Sequence, residues 1–395
     1  MKKLIAIAVV FALVMGGVFA ETSVGGYTRG KVTFGQGETG KDSKAKGEAS
    51  ARIALKGQNE EGTFGGEFRF GSDTWAGSNA FLKDGRSNVW WKPLDMLKIY
   101  LGPPSLDGSW GLSDAVTGWG FTEGYKDWGM QDFGGYGFGD RGGNMGLFLE
   151  VKPISGLEFD LILPFNTETD VLNVYKKFYA RVVYDIPNIG QVQAAFQSDL
   201  FKFNGVDDAK LAAGNFDEGI KRDTGKLGLS FDLSALNAMG LKLGFMLQTG
   251  LPTANGDLGI TRTEPLKVDF GAGFTAGDFT VRFRSYGQFL GKTVITTATG
   301  ETTVKDFSRI GFGLFPFYKV SGNLTVGVGF DAKVENITEE EWWTTGSTVY
   351  WHTSPFVQYA VGPGKFQIGL DVGTNSKADP DVLAWRIPIF VNFGF

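Results

Sequence analysis

Side chains able to do covalent or metal chemistry are nearly absent. The chain of 395 residues has no Cys and one His, His352. That excludes disulfides, thiolate metal sites and Cys nucleophiles, and it leaves no pair of imidazoles within one chain. A Ser-His-Asp grouping would have only His352 to draw on, and no convincing one emerges. What remains is carboxylate, guanidinium and ring chemistry, which sorts ions and stacks on sugars. The densest supply is the stretch 103–145. It holds 12 Gly, eight aromatic residues and six acids, Asp107, Asp114, Glu123, Asp127, Asp132 and Asp140, against Lys126 and Arg141. Trp110, Trp119 and Trp128 recur there every nine residues. Such rings either anchor a loop to a wall or guide a sugar along it. Elsewhere Arg29, Arg52, Arg69 and Arg386, and a second group of Arg282, Arg284 and Arg309, fall on the polar face of alternating segments. Glu339-Glu340-Glu341 reads as a solvated acidic patch, with divalent-cation contact as the alternative.

The elements that must carry these groups are strands. With 38 basic and 43 acidic side chains the net charge is −5, which argues against a nucleic-acid partner. Gly at 59 is about twice ordinary usage, and Phe reaches 35. Gly and aromatics without Cys or Pro enrichment suit many strands closed by tight turns. No 18-residue apolar run follows the N-terminus, so no membrane-spanning helix is expected. Residues 1–20 have the layout of a cleavable secretory signal: Met1-Lys2-Lys3, an apolar run, then Val18-Phe19-Ala20 ahead of Glu21. The mature chain is therefore expected to be exported, with 21–395 as a single domain.

From Glu21 onward apolar and polar residues alternate with period two. Leu266, Val268, Phe270, Ala272 and Phe274 interleave with Lys267, Asp269, Gly271 and Gly273, and Leu324, Val326, Val328 and Phe330 with Thr325, Gly327 and Gly329. That period sends the two sets to opposite faces of a strand. Eighteen such segments are expected, from 24–34 to 385–395, with sixteen as an alternative. The connections alternate between short ones of 3–7 residues and long ones of 11 or more, of which 103–145 is the longest at 43. A soluble sandwich has no reason to produce that alternation. An all-β, closed antiparallel transmembrane barrel does, with short periplasmic turns on one rim and long extracellular loops on the other. Lipid tolerates no open sheet edge, so the sheet must close.

The last segment places Trp385, Ile387, Ile389, Val391, Phe393 and Phe395 on one face. A terminal Phe after alternate apolar residues resembles the C-terminal assembly signal of outer-membrane barrels, carried by Phe393 and Phe395. The stretch Val89-Trp90-Trp91-Lys92-Pro93-Leu94-Asp95 through Gly102 is similar to a periplasmic hairpin of porin-like chains. The layout as a whole resembles the bacterial porin superfamily, with no segment that singles out one solute.

The resemblance implies an outer-membrane channel for small hydrophilic solutes and ions, with outer-membrane lipid and the barrel-assembly machinery as partners and no cofactor or metal. Lipid-facing aromatics also suit a homotrimer interface. The loop between the fifth and sixth strands of porins narrows the lumen, and 103–145 holds that position. Arg386, Arg29, Arg52 and Arg69 would line the last, first, second and third segments, neighbours once the barrel closes. Facing the acids Asp107, Asp114, Glu123, Asp127 and Asp132, they would set a transverse field at a constriction. The other readings are a surface adhesin or structural barrel with a plugged lumen, and a sugar-guiding channel.

Overall fold

The computed structural model describes residues 21–36, 43–73, 86–102, 146–164, 178–197, 202–206, 220–223, 225–255, 259–289, 291–297, 300–305, 308–337, 348–374 and 383–395. The leader 1–20 and the loop 103–145 lie outside them.

The first half of the chain gives β1 (Glu21–Gln36), β2 (Ser43–Gln58), β3 (Phe64–Asp73), β4 (Arg86–Leu94), β5 (Leu97–Leu101), β6 (Gly146–Ile154), β7 (Leu157–Pro164), β8 (Tyr179–Ile186) and β9 (Gly190–Gln197). Then come β10 (Lys202–Val206), β11 (Ile220–Asp223), β12 (Lys226–Asp232), β13 (Leu241–Gly250), β14 (Thr253–Asn255), β15 (Ile260–Thr263), β16 (Leu266–Ala276) and β17 (Phe279–Phe289). The last are β18 (Lys292–Thr297), β19 (Gly300–Lys305), β20 (Ser308–Lys319), β21 (Leu324–Ile337), β22 (Thr348–Val361), β23 (Gly364–Gly369), β24 (Asp371–Thr374) and β25 (Leu383–Gly394).

Each wall strand pairs antiparallel with its neighbours, and the sheet returns on itself. β1 pairs β2 from Glu21↔Gln58 to Gln36↔Ser43, and pairs β25 from Tyr27↔Gly394 to Gly35↔Arg386. β23 and β24 are two halves of one wall segment, so the barrel has eighteen strands, as the alternation predicts. The break at Leu370 has a chemical cause. Leu370 donates to the Pro355 carbonyl at 2.9 Å, but Pro355 has no N–H to return, and Pro388 stands on the other flank. The closing seam ends in two bonds between Gly26 and Phe395, N to O at 2.9 and 3.1 Å. Position 26 has to be Gly: a Cβ there would come 2.2 Å from the Arg52 backbone carbonyl oxygen, and 2.7 Å from Cζ of the Phe395 ring. Phe393 and Phe395 both face outward, at 49% and 58% exposure.

Alternation is expressed as two skins. On β20, Ile310, Phe312 and Leu314 are each 43% exposed on the outside, while Gly311 and Gly313 between them are buried, and on other wall strands the inward positions hold buried polar groups such as Lys31, Asp160, Asp269 and Asp371. Outward rings also pair across strands, as Phe270 with Phe283 and Phe312 with Phe330. This is the polarity of a membrane barrel, apolar outside and polar within. Among the described residues no helix is long and apolar enough to cross a membrane. Turns at the short rim close on side chains. Asn59 Oδ1 accepts from the backbone N–H of Thr63 and of Phe64, both at 2.9 Å, and Ser321 Oγ accepts from that of Leu324 at 3.2 Å. The longest of these turns is a 3₁₀ segment, Ser234–Met239.

The long rim differs from the sequence reading at three loops. The stretch 199–223 contains the hairpin β10–β11. The stretches 249–264 and 290–305, read as loops, pair with each other as a four-stranded sheet in the order β14-β15-β18-β19. That order repeats the order β13-β16-β17-β20 beneath it, so the wall continues past its rim. Pro252 and Pro265 interrupt the ladder between the two levels. The β-branched run Thr293-Val294-Ile295-Thr296-Thr297 is the signal that marks the upper strands.

Candidate functional site: the inner wall

Three linings share the inner face. The first is basic. Tyr27 on β1 lies opposite Arg52 on β2, and Arg29 lies opposite Ser50. Arg29 Nε donates to Ser50 Oγ at 2.8 Å. The Arg29 and Arg52 guanidiniums both sit over the Tyr27 ring, 4.8 and 5.1 Å from its centroid. Arg69 on β3 faces Ala54, two positions beyond Arg52. The three guanidiniums thus step across adjacent strands. Arg386 does not join them. Its partner on β1 is Gly35, six positions from Arg29, about 20 Å along the strand. Period two told which face these four share. Register, which decides height, depends on where β25 meets β1.

Arg386 belongs to another group. It lies opposite Asp371 on β24. Ser354 Oγ donates to Asp371 Oδ1 at 2.5 Å, and His352 Nδ1 is 3.4 Å from Asp331 Oδ2. Asp331, His352, Ser354 and Asp371 are all fully buried. The one imidazole is thus packed inside the wall lining among carboxylates.

The second lining is a row of ion pairs. Lys98, Glu150, Asp160 and Arg181 are successive register partners on β5, β6, β7 and β8. Arg181 reaches Asp160 Oδ2 at 2.6 Å through Nε and Glu158 Oε1 at 2.8 Å. Lys152 reaches Glu150 at 2.8 Å and Glu158 at 3.1 Å. Ligand oxygens of Glu150, Glu158 and Asp160 lie within 4.8 Å of one another, the spacing a metal would need. Arg181 and Lys152 fill that acidic corner with charge-assisted hydrogen bonds instead.

The third lining is apolar. Trp90, Tyr100, Phe148, Ile162 and Tyr179 are register partners across β4 to β8, one step from the ion-paired row on each strand. Phe148 and Tyr179 are 0% exposed and Ile162 1%. Met246 and Ala195 complete this cluster from β13 and β9. Sequence reading missed it. The signal was present in Leu147-Phe148-Leu149 and Leu161-Ile162-Leu163, where both faces of the strand are apolar.

The second Arg group is committed to local partners. Arg284 binds Asp269, Arg309 Nε donates to Gln288 at 3.1 Å, and Arg282 lies 5.2 Å over the Phe317 ring. Asp107, Asp114, Glu123, Asp127, Asp132, Trp110, Trp119 and Trp128 lie outside the described residues.

No protein-family model matches the chain. No curated protein matches it either. Among solved structures it is similar to a porin refined at 1.8 Å resolution, with 15% identity and a TM-score of 0.49 over 95% of this chain and 100% of that one. It is similar to an anion-selective porin from Comamonas acidovorans, at 12% identity and a TM-score of 0.49 over 95% and 99%. Salmonella typhi OmpF in complex with daunomycin gives 13% and 0.48 over 95% and 97%. The closed wall, the apolar outer skin and the charged inner skin make this chain a closed antiparallel β-barrel with the polarity of a membrane-spanning one.

Proposed function

We propose that the protein is a channel for passive diffusion of small hydrophilic solutes and ions across the outer membrane, reached by export and removal of residues 1–20. The observation that carries this reading is the closed eighteen-strand wall with charged and polar side chains on its inner face. A barrel of that size encloses an aqueous path unless something fills it.

The segment 103–145 narrows that path. Two features support this. The segment joins β5 to β6, the strands that carry Tyr100 and Phe148 of the buried inner apolar row, and it brings eight aromatic residues of its own. Apolar side chains on an inner wall are stabilised when an apolar partner covers them. Trp110, Trp119 and Trp128 would then act as anchors, and the acids Asp107, Asp114, Glu123, Asp127 and Asp132 would face the Arg29–Arg52–Arg69 step across the lumen. Such opposed charge orients polar solutes and sorts ions.

Single-channel recording in planar bilayers tests both parts. The folded protein should conduct, and a variant lacking 110–138 should conduct more per channel. A wild-type barrel that gives no current would overturn the channel reading. An unchanged single-channel conductance in the deletion would overturn the constriction.

A further inference from the structure

We propose that Gly26 and Gly35 are positioning residues that set the register at which the barrel closes. Strands joined by a short turn inherit their register from that turn. β1 and β25 are the first and last strands of the wall and share no turn. Alternation rules out a slip by one residue, which would send the apolar skin inward, but it permits a slip by two. The choice therefore falls to contacts on the seam itself, and both of its ends carry glycine. The Phe395 ring leans over Gly26, where a Cβ would come 2.7 Å from Cζ. Gly35 has a φ of +143°, and a Cβ on it would come 2.7 Å from Arg386 Cα. Arg386 in turn lies opposite Asp371 in the buried group, so β25 presents a fixed edge to β1.

Of the registers that keep the two faces, the observed one seats both contacts on glycine. Gly26 exchanges backbone bonds with Phe395, and Gly35 lies opposite Arg386. A slip of β25 by two residues one way would set Phe395 opposite Thr28 and Arg386 opposite Gly37. The other way would set them opposite Val24 and Thr33. Thr28 and Val24 are both exposed on the outer face, so in either slip a side chain stands where the ring must lie. Overpacking of that kind disfavours the slipped wall. The choice reaches the lining. A slip by two would move Arg386 about 7 Å along β1 relative to Arg29.

The chain has no Cys, so engineered pairs report register without background. Val32 and Ile389 are register partners among the outward residues of the seam. Direct partners stand about 5.5 Å apart at Cα, within reach of a disulfide, and diagonal neighbours at roughly 7–8 Å are beyond it. Val32→Cys with Ile389→Cys therefore reports the observed register. Val32→Cys with Val391→Cys reports the slip toward Thr28, and with Ile387→Cys the slip toward Val24. Each protein is refolded from urea into detergent, oxidised and read on non-reducing gels, with heat-modifiable mobility as the sign of closure. In the native background the 32–389 pair alone should cross-link. Thr28→Gly offers the Phe395 ring a second seat, with Gly37 already opposite Arg386, so the 32–391 product should rise about tenfold or more. Adding Gly37→Val should remove most of that rise, which a merely weakened seam would not show. Phe395→Ala, which removes the ring, should raise the same product and replaces Thr28→Gly if that variant does not close. Equal cross-linking of 32–389 and 32–391 in the native background would overturn the proposal. So would folded Thr28→Gly and Phe395→Ala variants that cross-link at 32–389 alone.

Discussion

The inner wall of β1–β3 and the inner wall of β4–β8 share a border and obey the same alternation, yet they are lined differently. On β1–β3 the guanidiniums of Arg29 and Arg52 rest on a hydroxyl and a ring, with Arg69 one strand further on. On β4–β8 a buried apolar row runs beside a row of ion pairs, of which Arg181 and Asp160 are buried. The outer skin is apolar in both regions because lipid is the same all round the barrel. The inner skin has no such uniform solvent. Each sector therefore carries a lining of its own.

The sharpest way to break this comparison is to charge the apolar row. Phe148→Asp places a carboxylate at a position with no exposure, among Tyr100, Ile162 and Tyr179. The cost of an unpaired buried charge is several kcal/mol or more. The variant should lose the heat-modifiable band, while Phe148→Leu keeps it. A normal yield of folded Phe148→Asp would show that the row faces open water.

Removing one partner from the ion-paired row should do less. Arg181→Ala leaves Asp160 and Glu158 facing each other without the guanidinium that joins them. Breaking a buried pair in this way costs about 3–5 kcal/mol. Urea unfolding in detergent should show a lower midpoint, and Asp160→Asn in the same chain should recover part of the loss. An additive, unrescued double variant would count against coupling between the two groups.

How far the wall is legible in the sequence follows from which solvent each residue meets. The segment 279–289 coincides with β17 (Phe279–Phe289) because lipid demands an apolar residue at every second position. The segment 385–395 overlaps β25 (Leu383–Gly394) for the same reason, and 47–57 falls within β2, which begins earlier, at Ser43. The upper sheet was not legible, because Thr-rich strands above the rim need not present an apolar face. The inner lining was half legible. Alternation put Arg29, Arg52, Arg69 and Arg386 on one face of neighbouring strands, and the structure has them there. It could not give their heights, since register is set by pairing across the seam, where Gly35 meets Arg386. Runs apolar on both faces, at 147–149 and 161–163, hint at the apolar row, but its continuity across five strands depends on register.

The smallest expected effect is also the finest test of the two linings. Charge reversal at Arg52 changes the sign of a half-buried group in the basic sector, whereas Arg69 is as buried as Arg386. In about 0.1 M KCl the screening length is roughly 10 Å, comparable to the spacing of these groups from a passing ion. The reversal potential should therefore move toward cation preference, by about twofold in permeability ratio, and should move back at about 1 M salt, where screening shortens to roughly 3 Å. Arg386→Glu should behave differently. It would set a second carboxylate opposite Asp371, in the buried group with His352 and Ser354. Like charges there disfavour the folded wall, so its effect belongs to the unfolding midpoint rather than to selectivity. If Arg386→Glu shifts selectivity as strongly as Arg52→Glu and unfolds at the wild-type midpoint, the four arginines act as one belt and the separation by register has no functional meaning. If selectivity follows Arg52 and not Arg386, the basic step that begins on β1 and β2 is the part of the wall that passing ions feel.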